Sequence, residues 1–237
     1  MFFISPPFGN YIRLDNTMSI CGSFTLYPRD GLLRQVLSTL RYMPRYKGWV
    51  NKIGLRNKGI DWAIQNYSND NICSIAIMNS SEIEPFLKKV PTHMNIEINV
   101  SCPNVQKQYN NMDSLKMFIN KERKWCIIKL SPYTSFETID HYYKLGFRQF
   151  HCCNTVPVPE GGLSGPAIQP YATKLISYIR CRYPDSEIIA GGGITERKDM
   201  DLYRNVGANH FAFSTLLFHP FKFAKFYIQN ITDKTIF

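Results

Sequence analysis

The chain has 237 residues, 44% of them hydrophobic, with 28 Lys and Arg against 18 Asp and Glu and a net charge of +10. That length suits one large core and is close to the ~250 residues typical of an eight-stranded α/β barrel, so one domain over residues 1–237 is expected. No run of about 18 uncharged apolar residues argues for a membrane span, Pro6 and Pro7 follow Met1-Phe2-Phe3-Ile4 too closely for a signal peptide, and seven cysteines without metal-ligand spacing suit a reducing compartment, so no metal and a cytoplasmic location are expected.

In chain order, a first apolar alternation at residues 2–5 is followed by Pro6, Pro7 and Gly9 and then by a second alternation at 18–25. Only a dozen or so residues join these two strands, too few for a full crossover helix, so the first β-α unit is expected to be reduced to a turn. Helical spacing at 32–42 precedes a strand at 72–77, helix 81–90 a strand at 94–100, and helix 115–121 a strand at 125–130. Helix 136–145 then leads to a strand at 147–153, helix 168–182 to one at 187–190, and helix 196–206 to one at 210–213, before a last helix at 221–230. Ser80 or Ser81, and Thr195, read as N-caps ahead of acidic first turns. Eight strands alternating with helices predict an α/β fold, a parallel sheet closed into a (β/α)8 TIM barrel. Lys and Arg are spread along the chain rather than gathered in one run, so nucleic acid is not expected as a partner.

The chemistry-bearing residues fall where the predicted strands end. Ile96, Ile98 and Val100 share one parity and Glu97, Asn99 and Ser101 the other, and Pro103 stops the strand, so Asn99-Val100-Ser101-Cys102-Pro103-Asn104 places a thiol between two carboxamides at a strand's C-terminal end. Ligands of parallel α/β folds bind at such ends. Lys129 closes the apolar run Cys126-Ile127-Ile128-Lys129-Leu130, and Asn154-Thr155 follows Phe150-His151-Cys152-Cys153. Lys129 reads either as a cation beside an anionic or electron-rich ring or as a snorkelling side chain, and Asn154 also reads as an ordinary turn residue. Gly161-Gly162-Leu163-Ser164-Gly165 lies ahead of a helix, and Gly191-Gly192-Gly193-Ile194 follows the seventh strand, with Ser214 and Thr215 after the eighth. Glycines there let backbone amides approach a phosphate.

The hexapeptide, the Gly-Gly-Leu-Ser-Gly run and the order of these motifs resemble the dihydroorotate dehydrogenase family over residues 22–217, and Cys102 rather than serine resembles its soluble branch. The resemblance implies an FMN-dependent oxidoreductase of pyrimidine biosynthesis that oxidises dihydroorotate, or a related dihydropyrimidine, to orotate. It implies Cys102 as base and Lys129 as the group stabilising charge on the reduced flavin. The implied FMN ligands are Ser23, Asn99, Lys129, Cys153, Gly165, Gly192, Gly193, Ser214 and Thr215. The segment Asn51-Lys52-Ile53-Gly54-Leu55-Arg56-Asn57 resembles the substrate loop, giving Asn51, Gly54 and Leu55, with Asn99, Asn104, Asn154 and Thr155, as substrate contacts. A soluble electron acceptor is implied, with no membrane partner, and a homodimer stays open.

One departure matters: family members carry a lysine near the first or second strand that touches flavin and substrate carboxylate, whereas no lysine precedes Lys47 here. Its place falls in the Pro-Pro-Phe-Gly-Asn loop or at Gly22, and Arg13 and Arg29 are the candidate substitutes. A dihydrouridine synthase-like flavoenzyme acting on RNA and a non-catalytic flavin-binding remnant are the alternatives.

Overall fold

The computed structural model describes residues 1–100 and 112–232. Eight strands close a barrel: β1 (Phe2–Ile4), β2 (Thr17–Phe24), β5 (Asn71–Ala76), β6 (Ile96–Asn99), β7 (Cys126–Lys129), β8 (Gln149–Cys152), β11 (Glu187–Gly191) and β12 (His210–Phe213). They follow one another around the barrel in chain order, β12 closing on β1, and every pairing is parallel. The helices outside it are α1 (Leu32–Thr39), α2 (Gly59–Gln65), α3 (Ile83–Lys89), α4 (Phe136–Lys144), α5 (Gln169–Arg182), α6 (Arg197–Asn205) and α7 (Pro220–Tyr227). The fold is therefore the TIM barrel expected. Between β1 and β2 stands only a 3-10 turn at Phe8–Asn10, the reduced first unit.

Strand alternation splits the apolar residues into two layers. Phe3, Ile20, Ile72, Trp125, Ile127, Ile189 and Ala212 form a separate buried cluster that fills the barrel, with the Phe3 and Trp125 rings edge to face at 5.3 Å. Residues of opposite parity, such as Phe2, Ile4, Cys73, Ile75, Ile128 and Ile188, join the larger cluster beneath the helices. Two residues beyond Ile72, Ile127 and Ile189 on the same inward parity come Ser74, Lys129 and Gly191. The apolar filling thus gives way to a polar layer at the C-terminal mouth.

A second sheet is antiparallel, of strands β3 (Arg41–Met43), β4 (Gly48–Asn51), β9 (Val156–Val158) and β10 (Gly161–Ser164) in the order β3-β4-β10-β9. Its strands follow the C-terminal ends of β2 and β8, so it lies over the mouth. Trp49 of β4 stacks on Phe218, which follows β12, with centroids 4.3 Å apart, and Arg45 pairs with Glu160 across the sheet.

This region departs from the expected pattern. The helix expected at 32–42 stops at Thr39 and gives way to β3, and the run 161–165 begins as a strand rather than a free phosphate loop. Helix α2 was not anticipated, and residues 112–118 form a 3-10 helix. The caps also differ: Asn79, not Ser80 or Ser81, accepts from the Ser81 amide, and Glu196, not Thr195, caps α6 in a reciprocal box with Asp199. A carboxylate or carboxamide reaches the same orphan amides that a hydroxyl would.

Candidate active site

At the mouth the inward side chains of neighbouring strands form one continuous polar network. Glu97 lies at its centre and is fully buried. Its Oε1 lies 3.4 Å from Lys129 Nζ and accepts from Ser74 Oγ at 2.8 Å, while its Oε2 lies 2.6 Å from His151 Nδ1. Ser74 Oγ is 2.9 Å from Ser23 Oγ, which accepts from Asn99 Nδ2 at 2.8 Å, and Asn99 Oδ1 accepts from Asn154 Nδ2 at 3.4 Å. Ser23, Asn99, Lys129 and Asn154, all singled out from the sequence, therefore meet. Glu97, Ser74 and His151 did not figure among the expected site residues, although Glu97 shares the polar parity of Asn99.

Burial would push the Glu97 carboxyl up, but the Lys129 ammonium, with His151 and Ser74 bonding to it, outweighs burial and holds it at about 2. His151 moves down, first through burial and then through Lys129, against the pull of Glu97. The layer therefore holds a carboxylate, an ammonium and a neutral imidazole. Burial raises the neighbouring Cys153 thiol to about 12, so it stays protonated.

These directions fix a pH dependence of stability. His151 binds its proton more weakly folded than unfolded, so its contribution is present above about 6.5 and is lost as pH falls below that value. Glu97 adds a second loss between its ordinary 4.5 and about 2. Urea midpoints measured from pH 8 down to 3 are expected to be highest above neutrality and to fall in two stages; a midpoint that rises on acidification would contradict this.

The glycine loops come together beside this layer. Gly192 and Gly193 have φ of +101° and +72°, a side chain at Gly192 would meet Ile168 at 2.5 Å, and one at Gly193 would meet Pro166 Cα at 2.8 Å and Gly165 O at 3.0 Å. The Gly165 and Gly192-Gly193 backbones thus form one close-packed rim without side chains, where amides can approach an anion. Ser214 directly follows the adjacent β12, its hydroxyl donating to Pro6 O at 3.0 Å, and Thr215 opens the following turn.

The loop from β4 reaches the same mouth. Asn51 pairs in register with Gly162, which lies against Thr155, next in sequence to Asn154. Gly54 and Leu55 turn through φ of 67° and 57°. Asn57, which the sequence reading did not single out as a site residue, pins this turn: its Nδ2 donates to Leu55 O at 2.7 Å and to Thr25 Oγ1 at 3.0 Å, at the exit of β2.

Cys102 and Asn104 lie outside the described residues. Of the two places open to the missing lysine, Gly22 cannot hold one. Its φ is +116°, a Cβ there would lie 2.4 Å from Ser74 O, and its amide donates to Asn10 Oδ1 at 2.8 Å, so no long side chain fits. Arg13 does not replace it. Its guanidinium is bound to Gly9 O at 2.6 Å, Ile12 O at 2.9 Å and Cys21 Sγ at 3.4 Å, with Trp62 of α2 lining the same cavity on the outer side of β2. Arg29 is exposed, its backbone paired with Asn57.

Comparison with known proteins shows the family. The family model for dihydroorotate dehydrogenase matches residues 8–234. The catalytic subunit of dihydroorotate dehydrogenase B (NAD(+)) from Thermotoga maritima is 27% identical over 241 residues, covering 89% of this chain and 87% of that protein. Dihydroorotate dehydrogenase A (fumarate) from Limosilactobacillus reuteri is 28% identical over 236 residues, covering 83% and 74%. In the crystal structure of ligand-free DHODH from Eimeria tenella the same fold is found, at a TM-score of 0.72 and 16% identity over 93% of this chain and 80% of that one. With the family model matching residues 8–234, nearly the whole chain, the chain belongs to the dihydroorotate dehydrogenase family.

Proposed function

We propose that this oxidoreductase oxidises dihydroorotate to orotate in pyrimidine biosynthesis, with FMN as its cofactor and a soluble electron acceptor, in the cytoplasm. The observation that carries the reading is the convergence of Ser23, Asn99, Asn154 and Lys129 on one mouth beside the glycine rim of 165, 192 and 193. That rim and the cation fit a phosphorylated, electron-rich ring: Gly192, Gly193, Ser214 and Thr215 would hold the phosphate, and Ser23, Asn99, Lys129, Cys153 and Gly165 the ring system. FMN, when bound, supplies the hydride acceptor. Cys102, three residues beyond Asn99, takes the proton from the ring carbon next to the one that loses hydride. Asn51, Gly54, Leu55, Asn104 and Thr155, with Asn99 and Asn154, hold the flat substrate ring against the reacting groups. Lys129 meets the negative charge that arrives when hydride leaves the substrate.

Gly192→Asp places a carboxylate on the phosphate rim, against Ile168. This variant, and Ser214→Glu beside it, are expected to purify without flavin while wild-type protein purifies yellow with one FMN per chain. Full flavin retention in both variants would place the phosphate elsewhere.

A further inference from the structure

Two buried groups of the polar layer take no part in the proposed reaction, Glu97 and His151. We propose that they form a proton-accepting pair, with His151 Nε2 taking up a proton from solvent when reduction places negative charge beside Lys129. This rests on the functional reading above.

The charge count of the layer leads there. Lys129 is already paired with Glu97 at 3.4 Å, so the two charges offset one another. A further anion placed at Lys129 is then uncompensated in a site shielded from water, which is costly. His151 is the group in this layer able to change its charge near neutral pH.

Its geometry is prepared for that change. Nδ1 lies 2.6 Å from Glu97 Oε2, so the neutral ring donates Nδ1–H to the carboxylate and leaves the Nε2 lone pair as the acceptor at its other, buried edge. Against that edge stands the Gly191 backbone, where a Cβ would come within 2.5 Å of Nε2, so only glycine leaves the ring edge uncrowded. The charged groups acting on the ring are Glu97 from β6 and Lys129 from β7, with the Ser74 hydroxyl of β5 on Glu97 and the Gly191 backbone of β11 against the ring edge. Lys129 and His151 are register partners on adjacent strands. The positive charge of Lys129 opposes protonation of the ring, and an anion beside Lys129 cancels that opposition. The imidazolium so formed stays in contact with Glu97.

The balance is simple. The dihydropyrimidine loses a hydride, which FMN would accept when bound, and a proton, which Cys102 takes; one further proton passes from solvent to Nε2. No bond in the protein breaks, and on reoxidation the proton returns to solvent.

The test uses the whole FMN-loaded chain, reduced at an electrode under anaerobic conditions. Ring-nitrogen NMR of His151 in the oxidised and reduced protein, at neutral pH, is expected to show neutral imidazole before reduction and imidazolium after it. The pH dependence of the flavin potential is expected to report nearly two protons per two electrons in wild type and to fall back by one in His151→Gln. An imidazole that keeps the same protonation in both redox states, or a proton count unchanged by His151→Gln, overturns the proposal alone. A chain that holds no flavin overturns the functional reading and this proposal with it. The NMR measurement needs no variant, so a misfolded His151→Gln leaves it decisive.

Discussion

Replacing Cys102 by Ala is expected to slow the bleaching of bound flavin by dihydroorotate about 100- to 10,000-fold, the usual loss when a positioned general base is removed. Flavin content is expected to be unchanged, because the flavin ligands proposed above are Ser23, Lys129 and the glycine rim and do not include the thiol. Cys102→Ser is expected to fall between wild type and Cys102→Ala, since a hydroxyl can accept the same proton less readily. Stopped-flow absorbance under anaerobic conditions reads all three. An unchanged rate in Cys102→Ala would move the base to another residue.

Replacing Lys129 by Ala is expected to destabilise the barrel by about 3–5 kcal/mol, because it leaves the buried Glu97 carboxylate without its ammonium partner. For a chain of this size that corresponds to a melting temperature lower by roughly 6–20 °C. The loss is expected to be larger at pH 8 than at pH 6: without Lys129 the pull of Glu97 on His151 is unopposed, and the imidazole takes up a proton that partly replaces the lost cation. The double variant Lys129→Met, Glu97→Gln removes both charges and is expected to recover most of the stability, since an ion pair replaced by neutral groups of similar volume costs little. It is expected to remain poor at retaining flavin, which separates the structural part of the lysine from its part in binding. Thermal melts with flavin absorbance read alongside check this; a Lys129→Ala melting temperature equal to wild type would contradict the central place given to the ion pair.

The barrel was legible because its strands obey a period of two against helices of longer period, and each of the eight expected strands is present with ends shifted by two residues or fewer. Ser23, Asn99, Lys129 and Asn154 were legible for a related reason, since a polar residue closing an apolar strand of a parallel sheet lies at the mouth. The capping sheet was not. Its strands are three or four residues long, carry Pro157, Gly161 and Gly162, and pair β4 with β10 across more than a hundred residues, so no local pattern marks them. A single strand does not reveal its neighbours, so Glu97 and His151 gain their meaning only when β6, β7 and β8 stand side by side: His151 is then level with Lys129, and Glu97, level with Ile127, reaches both. Of the two places open to the missing lysine, the Pro-Pro-Phe-Gly-Asn loop and Gly22, the φ of +116° at Gly22 and its approach to Ser74 make it a position built around the absence of a side chain.

The most direct measurement is the visible spectrum of the purified chain before and after dihydroorotate is added without oxygen. A flavin band that bleaches on addition, with orotate released in equal amount to the flavin reduced, is the result expected of an FMN-dependent dihydroorotate dehydrogenase. A colourless protein that takes up no FMN, or a flavin band that dihydroorotate leaves unchanged, would contradict it.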